Sequence, residues 1–162
     1  MEKYIISSVV ENRSGVLARV TSLFGRRGFN IESLTVSPTL DESVSRITMV
    51  VVGDEYTLGQ VLKQMGKLEE CISVVHIKEE EAHCRELLLV KIVADQATRE
   101  SIREICSIYG AGIINETEKT VIVRMNGTPT DVNKFLSVIS NFDVIESSRT
   151  GITAMYKSDE VI

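Results

Sequence analysis

The sequence predicts an α+β protein built from two βαββαβ units in tandem, each an antiparallel sheet with two helices on one face. Three observations carry this. The chain has 162 residues, room for two small domains of about 80 residues each. Segments with apolar period two alternate with segments of period 3.6, and the order strand, helix, strand, strand, helix, strand occurs twice. Between the two occurrences stands Glu79-Glu80-Glu81, a charge run of the kind that forms a solvated connector. The expected boundaries are 1–78 for the first domain, 79–84 for an acidic linker and 85–162 for the second domain.

Tyr4 to Val10 is β-rich. The following helix places Val16, Leu17, Val20, Leu23 and Phe24 on one face, and Gly28 and Asn30, both tolerant of left-handed backbone, end it. Ile31 to Val36 and Val44 to Val52 read as strands joined by a turn-rich loop with Pro38 and Asp41. Within the second of these, Ile47, Met49 and Val51 alternate with Arg46, Thr48 and Val50, which predicts one buried face. A helix bearing Leu58, Val61, Leu62, Met65 and Leu68 and a strand from Ile72 to Ile77 complete the first unit.

The second unit opens with a strand from Leu87 to Ala94. Ile102, Ile105, Cys106 and Tyr109 form a helical face ended by Gly110 and Gly112. Ile113 to Asn115 and Val121 to Met125 are short strands about a polar turn. Thr128 is placed to cap a helix with Pro129 at its first position and Val132, Phe135, Leu136 and Ile139 on one side. Val144 to Met155 supplies the last strand, interrupted by Gly151, and Lys157 to Ile162 are expected to fray. Two such ferredoxin-like layers leave one sheet face without helices. Tyr4 to Val10 puts Ile6 and Val10 on one face and Ile5 and Val9 on the other, so a second copy or the second domain is expected to meet the open face.

Composition narrows the function. Hydrophobic residues make up 43% of the chain, but Trp is absent and aromatics are scarce, so the cores must rely on Ile, Val and Leu. A formal net charge of −5 argues against tracking phosphates, and nucleic acid is not an expected partner. The chain has no long apolar span and no signal-like start; a soluble cytoplasmic protein without membrane partners is expected. Cys71, Cys84 and Cys106 are odd in number and lack a CxxC spacing, as expected of reduced thiols.

Several motifs have plain structural readings. Asn12-Arg13-Ser14, Asn115-Glu116-Thr117 and Asn126-Gly127-Thr128 match a glycosylation sequon, a pattern that matters only in a secreted chain. Gly25-Arg26-Arg27-Gly28 resembles the GXXG clamp of a KH domain, yet it leads into a strand instead of joining two helices. Its plain reading is a helix C-terminus with Arg26 and Arg27 near the negative dipole end. Cys71, His76, His83 and Cys84 match no familiar zinc spacing, so no metal site is expected. No nucleophile–base constellation is recognisable, and no catalytic residue is assigned.

The stretch ENRSGVLARV, Glu11 to Val20, is more pointed. Asn12 or Ser14 could simply cap the helix. Gly15, however, lets a ligand approach the backbone, and the first-turn amides of Val16 and Leu17 carry partial positive charge. A carboxylate suits them, and an Asn carbonyl beside it suits an ammonium group, so an α-amino acid fits the pattern.

ENRSGVLARV, with LFGRRGFNIESLTVSPT, SRITMVVVGD and RELLLVKIVA after it, closely resembles the small, regulatory subunit of acetolactate synthase (acetohydroxyacid synthase), which carries an N-terminal ACT domain. The resemblance spans essentially the whole chain. It implies a non-catalytic subunit that activates a larger catalytic subunit and confers feedback inhibition by valine in branched-chain amino-acid biosynthesis. Thiamine diphosphate, magnesium and FAD would then belong to the catalytic partner and none to this chain. The resemblance also implies a homodimer through the ACT domain, with valine between two copies. Asn12, Gly15, Val16 and Leu17 would form one side, and Asn30 and Ile31 of the neighbouring copy the other. This chain departs from the family's pattern in that Arg13 stands where relatives are often acidic, and Phe29 replaces a frequent Tyr. A stand-alone ACT-type sensor controlling another enzyme remains the alternative.

Overall fold

A computed structural model describes residues 2–26 and 28–162. The alternating run at the start becomes β1 (Glu2–Glu11), and the period-3.6 segment becomes α1 (Val16–Gly25), burying Val16, Val20, Leu23 and Phe24. Leu17, expected on that buried face, is exposed. Arg27, read from sequence as favourable to the helix C-terminus, lies outside the described residues. Then follow β2 (Asn30–Pro38), β3 (Val44–Gly53), α2 (Glu55–Met65) and β4 (Cys71–Ile77). The strands order as β2-β3-β1-β4, all antiparallel. Ile6, Val10, Ile47, Met49 and Val51 fill the space beneath the helices with Val61 and Met65.

Glu79–Glu81 is a single 3-10 turn, and β5 (Ala82–Val93) starts directly after it, inside the stretch expected as linker. In turn come α3 (Gln96–Tyr109), β6 (Gly112–Glu116), β7 (Thr120–Gly127), α4 (Pro129–Ile139), β8 (Val144–Arg149) and β9 (Thr153–Tyr156). The second sheet runs β6-β7-β5-β8, the same order as the first, so the expected pair of ferredoxin-like layers is what forms. Phe135, Ile102, Ile92 and Ile139 lie at the centre of its core. Local signals explain the helix ends. Gly110 adopts φ 66° and closes α3, and Thr128 with Asp131 makes a reciprocal capping box before Pro129.

The chain forms two compact units, and they do not follow in simple succession. One is Met1–Cys84 together with Gly151–Ile162; the other is Arg85–Thr150. The expected second domain, 85–162, and the second compact unit differ at their ends, because residues 151–162 pack against the face of the first sheet. β9 pairs with β5, and the Lys157 N–H donates to Glu81 O at 2.9 Å. Ile152 and Ala154 pack with Ile5, Val50, Ile77, Ala82 and Cys84, and Ile162 joins the margin of that cluster. Lys157 and Ile162, expected to fray, are held by these contacts. The same segment explains why Val50, expected on the open face of β3, is buried. The apolar patch around Ile5 is covered by the chain itself, so it offers no argument for a second copy.

Gly151 shows why the last strand is interrupted. A Cβ there would stand 2.6 Å from Thr35 Oγ1 and 3.3 Å from the Leu34 backbone, so only glycine lets the segment lie this close to β2. Arg46 Nη2 then donates to Ala154 O at 2.7 Å, pinning the segment across β3.

Candidate functional site

The first unit carries a cleft of about 270 Å³ at the corner where β1 gives way to α1. The turn is made by Gly15, at φ 88° and ψ −14°, a left-handed conformation that L side chains avoid. A Cβ at Gly15 would meet nothing within 4 Å, so the backbone demands glycine while the space before it stays open. As N-cap, Gly15 offers no side-chain acceptor, and the first turn of α1 has no acidic residue. The other three helices are capped by Asp54, Asp95 and Thr128. The Val16 N–H makes only a long contact of 3.4 Å with Arg13 O. The positive end of α1 is thus left uncompensated at the cleft.

Apolar walls come from four elements: Val10 of β1, Val16 and Leu17 of α1, Val36 and Pro38 of β2, and Ile47 of β3. Leu17 is turned out of the core into this space, which accounts for its exposure. The rim is polar, with Glu11, Asn12 and Arg13 on one side and Ser37 and Ser45 on the other. Antiparallel pairing brings these together, since Val10 opposes Ser45 and Ser37 opposes Arg46. Asn12 does not cap the helix. Its N–H donates to Ser43 O and its Nδ2 to Glu42 O, both at 2.7 Å, tying the β2–β3 turn to the corner. The side chain's remaining capacity is its Oδ1 acceptor.

Charge at the rim is organised about Glu70, which is 3% exposed. Arg19 Nη1 bonds its carboxylate directly, and Arg13 Nη2 stands 3.6 Å from the same oxygen. Arg13 also contacts Glu11, Nε to Oε2, at 2.7 Å. The Glu11 N–H donates to Glu70 O at 2.9 Å, so the corner is anchored to the turn before β4.

Of the predicted site residues, the structure brings Asn12, Val16 and Leu17 to the cleft, with Gly15 forming its corner. It does not bring Asn30 and Ile31 there. They begin β2, whereas the cleft takes the end of that strand from Val36, roughly 20 Å away at about 3.3 Å per residue. Asn30 is exposed and Ile31 half-buried. Sequence reasoning missed Glu11 and Arg13 as lining groups and the whole β2–β3 contribution. The usable signal was the turn at Pro38 to Asp41, which obliges the hairpin end to lie beside the end of β1.

Elsewhere, no three His, Cys, Asp or Glu side chains among the described residues are placed to hold a metal ion. Burial pushes the thiols of Cys71 and Cys106 up from their ordinary values. Burial first, and Lys78 second, push His76 down; its ring stands edge-on to Tyr4 at 5.5 Å. No helix of the described residues is long and apolar enough to cross a membrane.

Residues 6–73 match the family model of the acetohydroxyacid synthase small-subunit-like ACT domain, and 85–158 match that of the small subunit of acetolactate synthase. The chain is 40% identical to the probable acetolactate synthase small subunit of Archaeoglobus fulgidus over 98% of its own length and 99% of that protein's. The chain belongs to the acetolactate synthase small-subunit family. Within the family it is 37% identical to the isozyme 3 small subunit of Escherichia coli, covering 98% of each chain. The crystal structure of the acetolactate synthase small subunit from Thermotoga maritima superposes with a TM-score of 0.90 at 33% identity, covering 99% of this chain and all of that one. Membership of this ACT-containing family supports a regulatory-subunit role, and the cleft lies within the ACT-matched region.

Proposed function

We propose that the chain is the non-catalytic regulatory subunit of a cytoplasmic acetolactate synthase: it activates the catalytic subunit and makes it sensitive to valine. Valine binds in the cleft at the β1–α1 corner, with its isopropyl group among Val10, Leu17, Val36 and Ile47. Its carboxylate meets the first-turn amides behind Gly15, and Asn12 Oδ1 faces its ammonium group. The observation that carries this reading is the helix with a glycine cap and no acidic first turn, opening onto an aliphatic cleft. A second copy supplies Asn30 and Ile31, so that the ligand is shared by a homodimer. Thiamine diphosphate, magnesium and FAD reside on the catalytic subunit.

A ligand shared between copies stabilises whichever arrangement of the pair closes around it, and only that difference in affinity can transmit a signal. Valine thereby shifts the dimer toward an arrangement that activates the catalytic subunit less well. The test is a valine titration with two readouts, melting of the chain and acetolactate formation by the reconstituted complex. At a hundred times Kd, valine adds about 2.7 kcal/mol of stability, and the rate falls over the same concentrations. Saturation of the melting shift with an unchanged rate would refute the regulatory mechanism. No shift for the chain or the complex would refute the site.

A further inference from the structure

We infer that Glu11 and Arg13 add a charge-reading pair to the amide and Asn12 contacts of the cleft, and that together they favour a free aliphatic α-amino acid over the matching 2-oxo acid and the carboxamide. This rests on the cleft being the effector site. Of the described residues lining it, Arg13 alone is cationic and Glu11 alone anionic. They contact each other at 2.7 Å, with side chains 58% and 44% exposed. An ion pair so exposed is worth little and opens at small cost.

The surroundings make Arg13 the member that can move. Its second contact is the 3.6 Å approach to Glu70, and Arg19 bonds that same carboxylate oxygen. When Arg13 swings toward a ligand, Glu70 keeps a cation, so no buried carboxylate is stranded. Arg19 is fixed on α1 and is not among the lining residues.

Charge balance then selects the ligand. A 2-oxo acid would draw Arg13 to its carboxylate and leave Glu11 facing a carbonyl. A carboxamide would offer Glu11 an ammonium and leave Arg13 with a neutral partner. A zwitterion, with ammonium and carboxylate on one carbon, replaces the internal pair by two pairs of the same sign order. The aliphatic walls beside the rim take its side chain.

The experiment is calorimetric titration of the full chain with L-valine, 3-methyl-2-oxobutanoate and L-valinamide, for the native sequence, Arg13→Gln and Glu11→Gln. Both substitutions are at exposed groups, and melting curves check that each variant folds. Native protein should bind valine most tightly. Arg13→Gln should weaken valine roughly fivefold, the upper end for an exposed charge contact, and leave valinamide unchanged. Glu11→Gln should weaken valine similarly and leave the 2-oxo acid unchanged. Native valine affinity retained in both variants would overturn the pair's role while leaving the site intact. Absence of valine binding by the native chain would overturn the site and this inference together.

Discussion

Gly15 offers the sharpest separation of backbone strain from ligand chemistry, through Gly15→Ala and Gly15→Asp. At φ 88° either side chain pays a left-handed penalty of roughly 1–2 kcal/mol, and neither meets a clash, because the Cβ position is open. Asp recovers part of that loss, since it tolerates left-handed backbone better and its charge suits the helix N-terminus by about 0.3–1 kcal/mol. For a chain of this size the melting temperature should fall by about 2–8 °C for Ala and less for Asp. Binding should show the reverse order. A carboxylate about 4 Å from that of valine costs about 1 kcal/mol in water and about 4 kcal/mol at an effective dielectric of 20. Valine affinity should therefore drop between fivefold and about a thousandfold in Gly15→Asp, and little in Gly15→Ala. Calorimetric titration beside thermal melting reads both quantities. Native affinity in Gly15→Asp would place the carboxylate elsewhere. Equal losses in both variants would show that the effect is conformational and that charge has no part in it.

Further outcomes follow from the contacts. Gly151→Ala should cost about 1–3 kcal/mol in urea unfolding by forcing a methyl onto Thr35, and Thr35→Ala should restore part of it by removing Oγ1, a buried hydroxyl without a partner; no recovery in the double variant would count against this close approach. Arg149→Ala should cost about 1.5–3 kcal/mol, because Glu86, whose side chain is 5% exposed, loses the guanidinium that holds it, as equilibrium denaturation would show. Asn30→His should weaken valine inhibition of the reconstituted synthase without lowering the melting temperature of the chain, and unchanged inhibition would remove Asn30 from the site. Hydrogen bonds from Thr57 and Thr98 hold the cap carboxyls of Asp54 and Asp95 below the ordinary carboxylate value. The unfolded chain then binds more protons in acid, so this stability is present above about pH 4 and is lost as pH falls through the folded values. Asp54→Asn with Asp95→Asn, which keeps both caps, should lessen the fall of the urea midpoint below about pH 4, and an unchanged fall would count against these two carboxyls as a source of it.

The elements were legible in the sequence because their signals are local. Val20, Leu23 and Phe24 recur with helical spacing, and Thr128-Pro129 announces a helix start, so each segment carries its own evidence. Leu17 was misplaced because apolar periodicity cannot tell a residue facing the core from one facing a cleft at the same edge. The glycine corner was legible from ENRSG, since few reasons exist to set a glycine between a strand and a helix. The β2–β3 wall of the cleft and the Arg13–Glu70 contact were not, because both depend on pairing across long stretches of chain. Gly151 was visible as a break in a strand, but its cause lies in Thr35 and Leu34, far away in sequence.

The return of Gly151–Ile162 to the first sheet also sets an order on biogenesis. A ribosome releases Ile5, Val50 and Ile77 long before the residues that cover them. Residues 85–150 must be made in between, at about 5–20 residues per second, so the delay is roughly 3–13 s. During that interval the nascent first unit displays an apolar strip beside strand edges, a surface that holding chaperones recognise and that neighbouring nascent chains on the same message could share. The second unit, contiguous in sequence, has no such wait. The unit that begins to fold first is thus the last to be finished.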